Sequence, residues 1–453
     1  MQSIETDVQI LGGGPAGLAA GYYAKQRGIN FALVEASAHV GGNCRTLRAG
    51  GFRFDTGAHR FHDKDREVTS EVKKLLGDAL LRVEAPSEIF FEGQFVRFPL
   101  TLSNLVRKLD AKTLLKIACD TPGAGRGNSA DNFGKFAVNQ YGKTLAERFL
   151  LNYSQKLWGE SPHKLSTAVS GSRLNGLDIK NFIRSTVMGD VQQSGHLDGS
   201  FLYPRYGIGM IAEKMRDFIG DRCIRTNSRV SRLVHKNGKI EQIILNGGDD
   251  ELRAAKLVNT LPLTLTTKIL DPPPPPELLD VANSIKFRNL VLCVFCLNRN
   301  SFSPNASLYF PSESFPFTRL YEPKNRSLHM APQGQTAIVL ELPCYNRDAL
   351  WRMSDNARKA LVWKALQHVK PIATEEILCY RSYKLPFAYP VLEVGFDENI
   401  RRLIDYLEAF ENLYLTGRSA LFRYLHLHDL FKAGKALANR IVTVSDSGTA
   451  IIT

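Results

Sequence analysis

The chain has 453 residues, of which 44% are hydrophobic and 23% are charged. That composition is typical of a globular protein with a large core and excludes a disordered, collagen-like or disulfide-stapled chain. At roughly 150 residues per domain, the length predicts two or three domains. The 58 basic and 45 acidic side chains give a net charge of +13, which indicates an anionic partner or a solvated basic surface. The basic residues are dispersed and match no nucleic-acid-binding module, so we expect no nucleic acid partner.

The apolar runs and the cysteines indicate where the protein resides. The longest apolar run, residues 290–297, is far shorter than a membrane span, and the polar residues near the N-terminus do not resemble a signal peptide. Seven cysteines are scattered along the chain, and the only close pair, Cys293 and Cys296, lies within that run with no histidine nearby. We therefore expect reduced core thiols, no metal site, no transmembrane anchor and a cytoplasmic protein.

A glycine-rich turn lies between a predicted strand and a predicted helix near the start of the chain. Residues 7–11 (DVQIL) predict the strand, the turn reads GGGPAG, and the helix continues to Gly28. Residues 30–34 (NFALV) predict a second strand, which ends at Glu35. This order of strand, G-x-G-x-x-G, helix, strand and acid is the fingerprint of a dinucleotide-binding fold.

Each residue type in the fingerprint has a physical reason. Gly12 permits the tight turn, and Gly14 lets the backbone approach a pyrophosphate without an obstructing Cβ. Gly17 allows the helix to pack closely on the strand, and free N–H groups at the helix N-terminus favour the negative charge of the pyrophosphate. The acid after the second strand accepts hydrogen bonds from ribose hydroxyls. The predicted dinucleotide-binding residues are Gly12, Gly14, Pro15, Ala16, Gly17 and Glu35.

A second glycine pair follows within a few residues of Glu35. The sequence Gly41-Gly42-Asn43, with Arg45 shortly after it, resembles the extended FAD motif of the flavin amine oxidase superfamily. Enzymes that use NAD generally lack this second phosphate-contacting turn. The resemblance therefore implies that the cofactor is FAD and that these residues contact it.

Residues 52–62 (FRFDTGAHRFH) resemble a loop that passes the flavin ring. They are similar to the F-D-x-G-x-H loop of protoporphyrinogen-oxidase-like proteins and, at their end, to the G-x-H-x-F-H stretch of UDP-galactopyranose mutases. The resemblance implies that the backbone of Gly57 and Ala58 lies against the isoalloxazine, with His59 beside its reactive part. A lone histidine is usually structural, but at this place we predict a role in catalysis and cofactor binding.

The resemblance continues almost to the end of the chain. Residues 153–162 (YSQKLWGESP) are similar to a Y-x-x-K-v-W-G-x-x-P element, and residues 412–424 (NLYLTGRSALFRY) to a closing N-l-y-x-x-G-R-x-x-x-x-R-Y motif. This likeness implies that FAD contacts Val230, Gly417 and Arg418, and that the substrate contacts Trp158, Arg173, Tyr389, Arg423 and Tyr424. Trp158 fits a core position equally well.

The same resemblance implies an α/β fold, in which a Rossmann-like FAD-binding domain is interleaved with a mixed α+β substrate domain. We predict that the FAD-binding domain comprises residues 1–75, 204–270 and 405–453, and the substrate domain residues 76–203 and 271–404. A proline run at residues 272–276 cannot form a helix interior or an inner strand, so it predicts a rigid crossing between the domains.

Two chemistries are compatible with this resemblance. In the first, a FAD-dependent oxidoreductase of the protoporphyrinogen oxidase or amine oxidase type moves hydride from its substrate to flavin N5. In the alternative, an enzyme similar to UDP-galactopyranose mutase isomerises a nucleotide sugar through a reduced-flavin N5 adduct. The chain departs from the mutase pattern at Leu177, where bacterial mutases carry arginine, and at His426-Leu427, where they carry Asp-Met. The oxidoreductase is therefore the leading hypothesis.

The candidate catalytic residues are His59, Tyr424 and His428. His426 and His428 fit either acid and base groups near the flavin or capping and surface residues, and the second interpretation is favoured. Lys286 is a candidate for the lysine with which amine oxidases hold a water near the flavin. We expect a small-molecule substrate, either an anionic compound or a nucleotide sugar. A non-catalytic flavin protein or a membrane-associated electron carrier fits less well, because the flavin loop is intact and no amphipathic anchor is apparent.

Overall fold

The computed structural model describes residues 6–98, 100, 102–120, 130–169, 200–248 and 250–447. Its strands are β1 (Thr6–Leu11), β2 (Phe31–Val34), β3 (Thr46–Ala49), β4 (Phe52–Asp55), β5 (Leu80–Glu84), β6 (Ser87–Phe91), β7 (Gln94–Phe98), β8 (Ser200–Pro204), β9 (Ile224–Arg225), β10 (Val230–Lys236), β11 (Lys239–Leu245), β12 (Asp250–Leu252), β13 (Ala254–Asn259), β14 (Leu270–Asp271), β15 (Phe287–Leu297), β16 (Ser307–Tyr309), β17 (Arg319–Tyr321), β18 (Thr336–Cys344), β19 (Ile377–Pro390) and β20 (Leu413–Leu415).

The helices are α1 (Pro15–Gln26), α2 (Arg66–Leu76), α3 (Leu102–Lys108), α4 (Ala111–Asp120), α5 (Phe133–Tyr141), α6 (Lys143–Leu145), α7 (Asn152–Trp158), α8 (Gly209–Ile219), α9 (Leu263–Lys268), α10 (Pro276–Ser284), α11 (Ala349–Arg352), α12 (Asp355–Gln367), α13 (Phe396–Glu408) and α14 (Leu427–Ser447). A π-helical segment (Ala146–Leu151) joins α6 to α7. None of these helices combines the length and the apolar character that crossing a bilayer requires.

A five-stranded sheet in the order β20-β13-β1-β2-β9 forms one layer, and every neighbouring pair in it is parallel. β1 and β2 are largely buried on both faces, as strands of parallel sheets are, and β2 (FALV) is accordingly apolar throughout. α1 begins at Pro15, a favoured first helical residue, and packs against α8 and α14. The predicted Rossmann-like fold is confirmed, with strands drawn from distant parts of the chain.

A seven-stranded sheet in the order β19-β15-β18-β17-β16-β6-β7 forms the second layer. Its neighbouring strands are antiparallel except for the parallel pair β16 and β6. β15 and β18 are its buried centre, and α12 covers one face through Val362, Ala365 and Leu366. The apolar run at residues 290–297 therefore belongs to a buried strand at the centre of this sheet.

The predicted domain boundaries stay a prediction, and one of them falls at an unexpected place. The boundary between residues 404 and 405 lies inside α13. The buried side of that helix, Ile400, Leu403 and Leu407, packs in the same core as Leu257 and Leu413 of the parallel sheet. We propose that the C-terminal part of the FAD-binding domain begins with α13.

Two cysteines that are distant in the sequence meet across neighbouring strands. Cys296 in β15 and Cys379 in β19 are register partners, and their sulfur atoms are in direct contact. The other five cysteines are unpaired, and the expected reduced state stays a prediction. Spacing along the chain could not identify this pair, because 83 residues separate its members and only the strand pairing brings them together.

A buried carboxylate, Asp55 at the end of β4, links the seven-stranded sheet to β3, β8 and the turn before α8. It is 1% exposed. Its Oδ1 accepts hydrogen bonds from the Thr46 hydroxyl (2.7 Å) and the Ile208 N–H (3.0 Å), and its Oδ2 accepts one from the Tyr203 hydroxyl. The Tyr321 hydroxyl in β17 donates to its backbone carbonyl at 2.6 Å. Burial raises the pKa of Asp55 from 3.8 to about 6, although the hydrogen bonds from Tyr203 and Thr46 oppose that rise.

Asp55→Asn is expected to change how stability depends on pH. Because the folded-state pKa of Asp55 exceeds the unfolded value, the folded protein binds this proton more tightly, and the free energy of unfolding falls as pH rises from about 4 to about 6. At 1.36 kcal/mol per pKa unit this loss is about 3 kcal/mol. Urea unfolding of the apoprotein at both ends of this range should show the decline reduced by that amount in Asp55→Asn. The decline in the free energy of unfolding should keep its full size in the exposed control Asp217→Asn. Equal declines in Asp55→Asn and in the unmodified protein would contradict the assignment of this pH dependence to Asp55.

Candidate active site

The glycine-rich turn leaves open space at the N-terminus of α1. Gly12 has a φ of +101°, which favours glycine, and a Cβ added at Gly17 would lie 1.9 Å from the Gly12 carbonyl oxygen. A Cβ added at Gly14 would meet no atom within 4 Å. The turn therefore holds α1 tightly against β1, while the surface in front of Gly14 remains accessible to a ligand.

Glu35 uses its carboxylate to fix this turn. Its Oε2 accepts a hydrogen bond from the Gly13 N–H (2.8 Å), and its Oε1 accepts bonds from the N–H and the hydroxyl of Ser37 (both 2.8 Å). The Ser228 N–H donates to the Glu35 carbonyl at 2.8 Å, which brings the start of β10, with Val230, beside the turn. The ribose contact expected of Glu35 stays a prediction.

The second glycine pair lies directly against the first turn. The Gly41 N–H donates to the Gly13 carbonyl at 2.8 Å. A Cβ added at Gly42 would come within 3.2 Å of the Gly14 Cα. The two motifs, separated in sequence, therefore form one continuous backbone surface.

The end of β20 reaches the same surface. Gly417 has a φ of +95°, and a Cβ added there would lie 2.7 Å from the Ala16 Cβ. The guanidinium of Arg418 stacks on the ring of Tyr424 at 4.2 Å. Its buried Nε and Nη2, like the Nε of Arg45, have no hydrogen-bond partner among the described residues. Buried donors without acceptors beside an open helix N-terminus fit the diphosphate of FAD.

The predicted flavin loop is held from both sides. The Asn43 carbonyl accepts hydrogen bonds from the Thr56 hydroxyl (2.8 Å) and from His59 Nε2 (2.9 Å). The Ala58 N–H donates to Glu341 Oε1 at 2.8 Å. Residues 56–59 are therefore fixed between the FAD motif and the seven-stranded sheet.

Glu341 also forms an ion pair that sequence reasoning missed. Arg319 in β17 stands opposite Glu341 in β18, and its Nε and Nη2 donate to both carboxylate oxygens at 2.6–2.9 Å. The Arg319 side chain is 17% exposed and that of Glu341 is 2% exposed. One signal was present in the sequence, because Glu341 is the single charge in the otherwise uncharged strand TAIVLELPC.

His59 is held in its neutral form. Burial and the nearby Arg319 guanidinium lower its pKa to about 4, and Arg326 and Arg418 act in the same direction. The hydrogen bond with Asn43 opposes them. Because a carbonyl can only accept, Nε2 carries the proton and Nδ1 keeps its lone pair. The imidazole is therefore a hydrogen-bond acceptor at neutral pH.

Aromatic residues surround the Arg319–Glu341 pair. Burial raises the pKa of Tyr389 to about 12 and also raises that of Tyr153, so both phenols stay protonated. Tyr389 interacts electrostatically with Glu341, Arg319, Tyr424 and Arg418. Trp158 meets the Tyr389 ring edge-on at 6.0 Å and is only 5% exposed. It is a core aromatic, and its contact with substrate stays a prediction.

The remaining predicted site residues have different surroundings. Arg423 is exposed, and Arg173 lies outside the described residues. His428 pairs with Asp429 (3.2 Å), and burial lowers its pKa. The Asp429 carboxylate accepts the His426 N–H at 2.9 Å near the start of α14, which supports a capping role for this segment. In the described part of the chain, no group of three or more His, Cys, Asp or Glu side chains is arranged to hold a metal ion.

Lys286 connects the two segments that carry Trp158 and Tyr389. Its Nζ contacts Glu160 Oε1 at 2.7 Å and Glu393 Oε1 at 3.0 Å, and the hydrogen bond with Glu160 is the main cause of its raised pKa. Glu160 follows Trp158 and Glu393 follows Tyr389 in the chain. Lys286 therefore acts as an ionic clamp between the two segments that carry the aromatic pair, and its role in holding a water near the flavin stays a prediction.

Comparison with known proteins relates these features to a family. The family model for flavin containing amine oxidoreductase matches residues 15–442. Coproporphyrinogen III oxidase of Bacillus subtilis (strain 168) is 22% identical over 480 aligned positions, which cover 96% of this chain and 98% of that protein. The resemblance drawn from the sequence motifs is confirmed.

Solved structures show the same fold. A reduced UDP-galactopyranose mutase superposes with a TM-score of 0.85 at 17% identity, covering 97% of this chain and 96% of the other. A provisionally named protoporphyrinogen oxidase of Exiguobacterium sp. 255-15 gives 0.75 at 18% identity, covering 96% and 98%. At these identities the likeness concerns the fold alone.

Gly14→Val is expected to abolish tight FAD binding without destabilising the apoprotein. The added Cβ meets nothing within 4 Å, and the φ of −71° suits any residue, so the free energy of unfolding should change by less than about 1 kcal/mol. The side chain would occupy the space of the pyrophosphate, and FAD affinity should fall at least about 100-fold by equilibrium titration. In Gly28→Ala, where φ is +67°, we expect the reverse: a loss of about 1 kcal/mol and unchanged FAD affinity. Full flavin loading of Gly14→Val would contradict this placement.

Lys286→Met is expected to destabilise the clamp by about 1–2 kcal/mol, because it leaves two partly buried carboxylates without their cation. Lys286→Arg should retain most of the stability. The exposed pair of Lys214 and Asp217 offers a control, since Lys214→Met should cost less than about 0.5 kcal/mol. Urea unfolding gives the energies, and Trp158 fluorescence in a background without the other two tryptophans reports the local environment. Equal stabilities for Lys286→Met and Lys214→Met would refute the clamp.

Proposed function

Because the chain belongs to the family of flavin containing amine oxidoreductases and its cofactor is FAD, we propose that it oxidises a small anionic substrate of the porphyrinogen type by hydride transfer to flavin N5. The observation that carries this proposal is the charge around His59. Three guanidiniums, those of Arg319, Arg326 and Arg418, act on this neutral imidazole, and only Arg319 has a carboxylate within ion-pair distance among the described residues.

The residues of the site have separate roles in this proposal. FAD supplies the two-electron acceptor when it is bound. Gly57 and Ala58 offer a backbone surface that Glu341 holds in place through the Ala58 N–H. His59 accepts a hydrogen bond from a substrate N–H through Nδ1, and its low pKa makes it an orienting group rather than the base. The buried aromatic residues exclude water from the reacting atoms.

The net positive charge of the site supports an anionic substrate. Coproporphyrinogen III is a polycarboxylate, and the oxidase of Bacillus subtilis that bears its name matches this chain almost from end to end. Arg319 is pre-positioned by its two-point contact with Glu341, so it loses little side-chain entropy on binding a carboxylate.

A nucleotide-sugar isomerase is the second candidate. The stack of Arg418 on Tyr424 and the surplus of cations would suit a diphosphate as well as a carboxylate. The two candidates differ in their net chemistry, because isomerisation leaves the flavin in the oxidation state in which it started.

Anaerobic mixing of the oxidised holoenzyme with coproporphyrinogen III tests the leading proposal. We expect loss of the visible flavin absorption on anaerobic mixing, as each flavin accepts two electrons. The porphyrin, which requires the removal of six electrons, should form once oxygen is admitted to reoxidise the flavin. The double variant Arg319→Met/Glu341→Gln removes the cation without leaving a buried charge, and it should raise KM at least about tenfold at unchanged FAD content. Arg299→Met, which alters a more exposed pair with Glu376, should leave KM unchanged. Conversion of UDP-galactopyranose by the reduced enzyme, with no bleaching by porphyrinogens or amines, would refute the oxidase and establish the second candidate.

A further inference from the structure

Two phenylalanines near the site adopt a left-handed backbone conformation. Phe387 has a φ of +54° and Phe422 has a φ of +51°. This region disfavours residues that carry a Cβ, because the Cβ comes too close to the following carbonyl oxygen. Each phenylalanine precedes a tyrosine of the site by two residues, which are Tyr389 and Tyr424. Strained conformations persist only where the surrounding structure fixes them, so neighbouring contacts must hold both residues in place.

Phe387 lies in a bulge of β19. The register with β15 shifts around Asn289, which alone faces residues 386–388 of β19. The Asn289 side chain accepts a hydrogen bond from the Phe387 N–H at 3.2 Å, and the Asn43 side chain, beside the second glycine pair, donates to the Phe387 carbonyl at 3.4 Å. Bulges re-aim the side chains next to them, so this one sets the direction of Tyr389.

Phe422 closes the turn that begins at Gly417. The Leu421 N–H donates to the Gly417 carbonyl at 3.0 Å, and the Arg423 N–H donates to the Arg418 carbonyl at 3.1 Å. In the corresponding motif at helix ends, a glycine usually occupies the left-handed position before the last donor. Here a phenylalanine takes that position and is 2% exposed. A buried ring where glycine would be easier indicates that the ring itself is needed.

The ring of Phe287, the first residue of β15, contacts both phenylalanines. Its centre lies 5.3 Å from that of Phe387 and 5.2 Å from that of Phe422, and both contacts are T-shaped, with interplanar angles of 77° and 84°. Edge-to-face contacts between aromatic rings are favourable beyond the burial of apolar surface. Phe287 therefore joins the bulge of β19 to the turn after β20.

The two tyrosines that follow these segments both lie against Arg418. Its guanidinium is 4.2 Å from the ring centre of Tyr424 and 5.4 Å from that of Tyr389. Aromatic rings that contact a guanidinium stabilise its charge and restrict its orientation. The Nε and Nη2 donors of Arg418, which have no acceptor among the described residues, therefore keep the direction that the two rings impose.

We propose that Phe287 is a positioning residue for FAD binding, which fixes the two strained segments and through them the guanidinium of Arg418. Its ring holds Phe387 and Phe422 in conformations that would otherwise relax, and each of these sets the tyrosine that follows it. Arg418, which we predict to contact FAD, is then oriented before the cofactor binds, so less rotamer freedom is lost when an anionic group of FAD accepts its hydrogen bonds. The inference concerns the cofactor and does not rest on the proposed oxidation.

Equilibrium dialysis of the holoenzyme, with bound FAD measured by absorption, tests the role of Phe287. We expect Phe287→Ala to raise the dissociation constant for FAD about fivefold, because Arg418 is no longer oriented in advance. Phe287→Tyr keeps the ring and should stay within about twofold of the unmodified protein. Arg418→Ala should raise the constant at least about tenfold, because it removes charge-assisted hydrogen bonds.

Phe410→Ala is the matched control. Phe410 packs in the same apolar core as Phe287, but its ring contacts His235 and Tyr406. The variant should therefore lose stability in urea, as Phe287→Ala does, while the dissociation constant for FAD changes less than about twofold. Phe287→Leu, which keeps most of the apolar volume, replaces the alanine variant where that variant fails to fold.

A double variant separates positioning from general destabilisation. If Phe287 acts through Arg418, Phe287→Ala should raise the dissociation constant less than about twofold when Arg418→Ala is already present. Phe387→Gly should also be more stable in urea than Phe387→Ala, since glycine adopts the left-handed conformation freely. The inference is overturned by the full loss of affinity in both backgrounds, by an equal loss in Phe410→Ala, by unchanged FAD affinity of Arg418→Ala, or by greater stability of Phe387→Ala.

Discussion

Two buried carboxylates fix the loop of residues 55–59, and the rest of the site depends on that loop. Asp55 and Glu341 are each 1% exposed. A carboxylate removed from water must receive hydrogen bonds or an ion pair, or the folded state loses several kcal/mol. Asp55 meets this requirement with donors from β3, β8 and the turn before α8, whereas Glu341 meets it with Arg319 and the Ala58 N–H. The loop is thus anchored at once to the seven-stranded sheet and to the elements around β3, β8 and the start of α8.

Such anchoring has a direct consequence for the histidine that follows. His59 is fixed by the Asn43 carbonyl, in a region where guanidiniums outnumber carboxylates. The positive field opposes protonation, and burial does so more strongly. The same field would attract the anionic substrate that we propose. With such a substrate, a neutral histidine would serve for orientation and the guanidiniums for electrostatic attraction, two tasks that a protonated histidine would combine.

The sequence predicted the local motifs well because their physics is local. Gly12, Gly14 and Gly17 stand where backbone conformation, open space and close packing require glycine, and these requirements lie within a single turn. Arg319 and Glu341 were missed because their relation depends on strand pairing. Glu35 shows a further limit, since sequence predicted an acid at the right place but not that its carboxylate binds the turn itself. Chain spacing carries no information about which of several donors a side chain will meet.

The net charge of +13 does not identify a partner from the sequence alone. The structure shows which of the cations are buried and which are exposed. Arg326 is 2% exposed and Arg319 is mostly buried, and in such surroundings a cation acts over a short distance on a specific ligand or neighbouring group. Lys112 and Lys116 are exposed, so salt screens them and each contributes little to the binding of a single small ion. Burial therefore separates the cations that can act on a ligand inside the site from those that belong to a solvated surface, a distinction that composition alone cannot make.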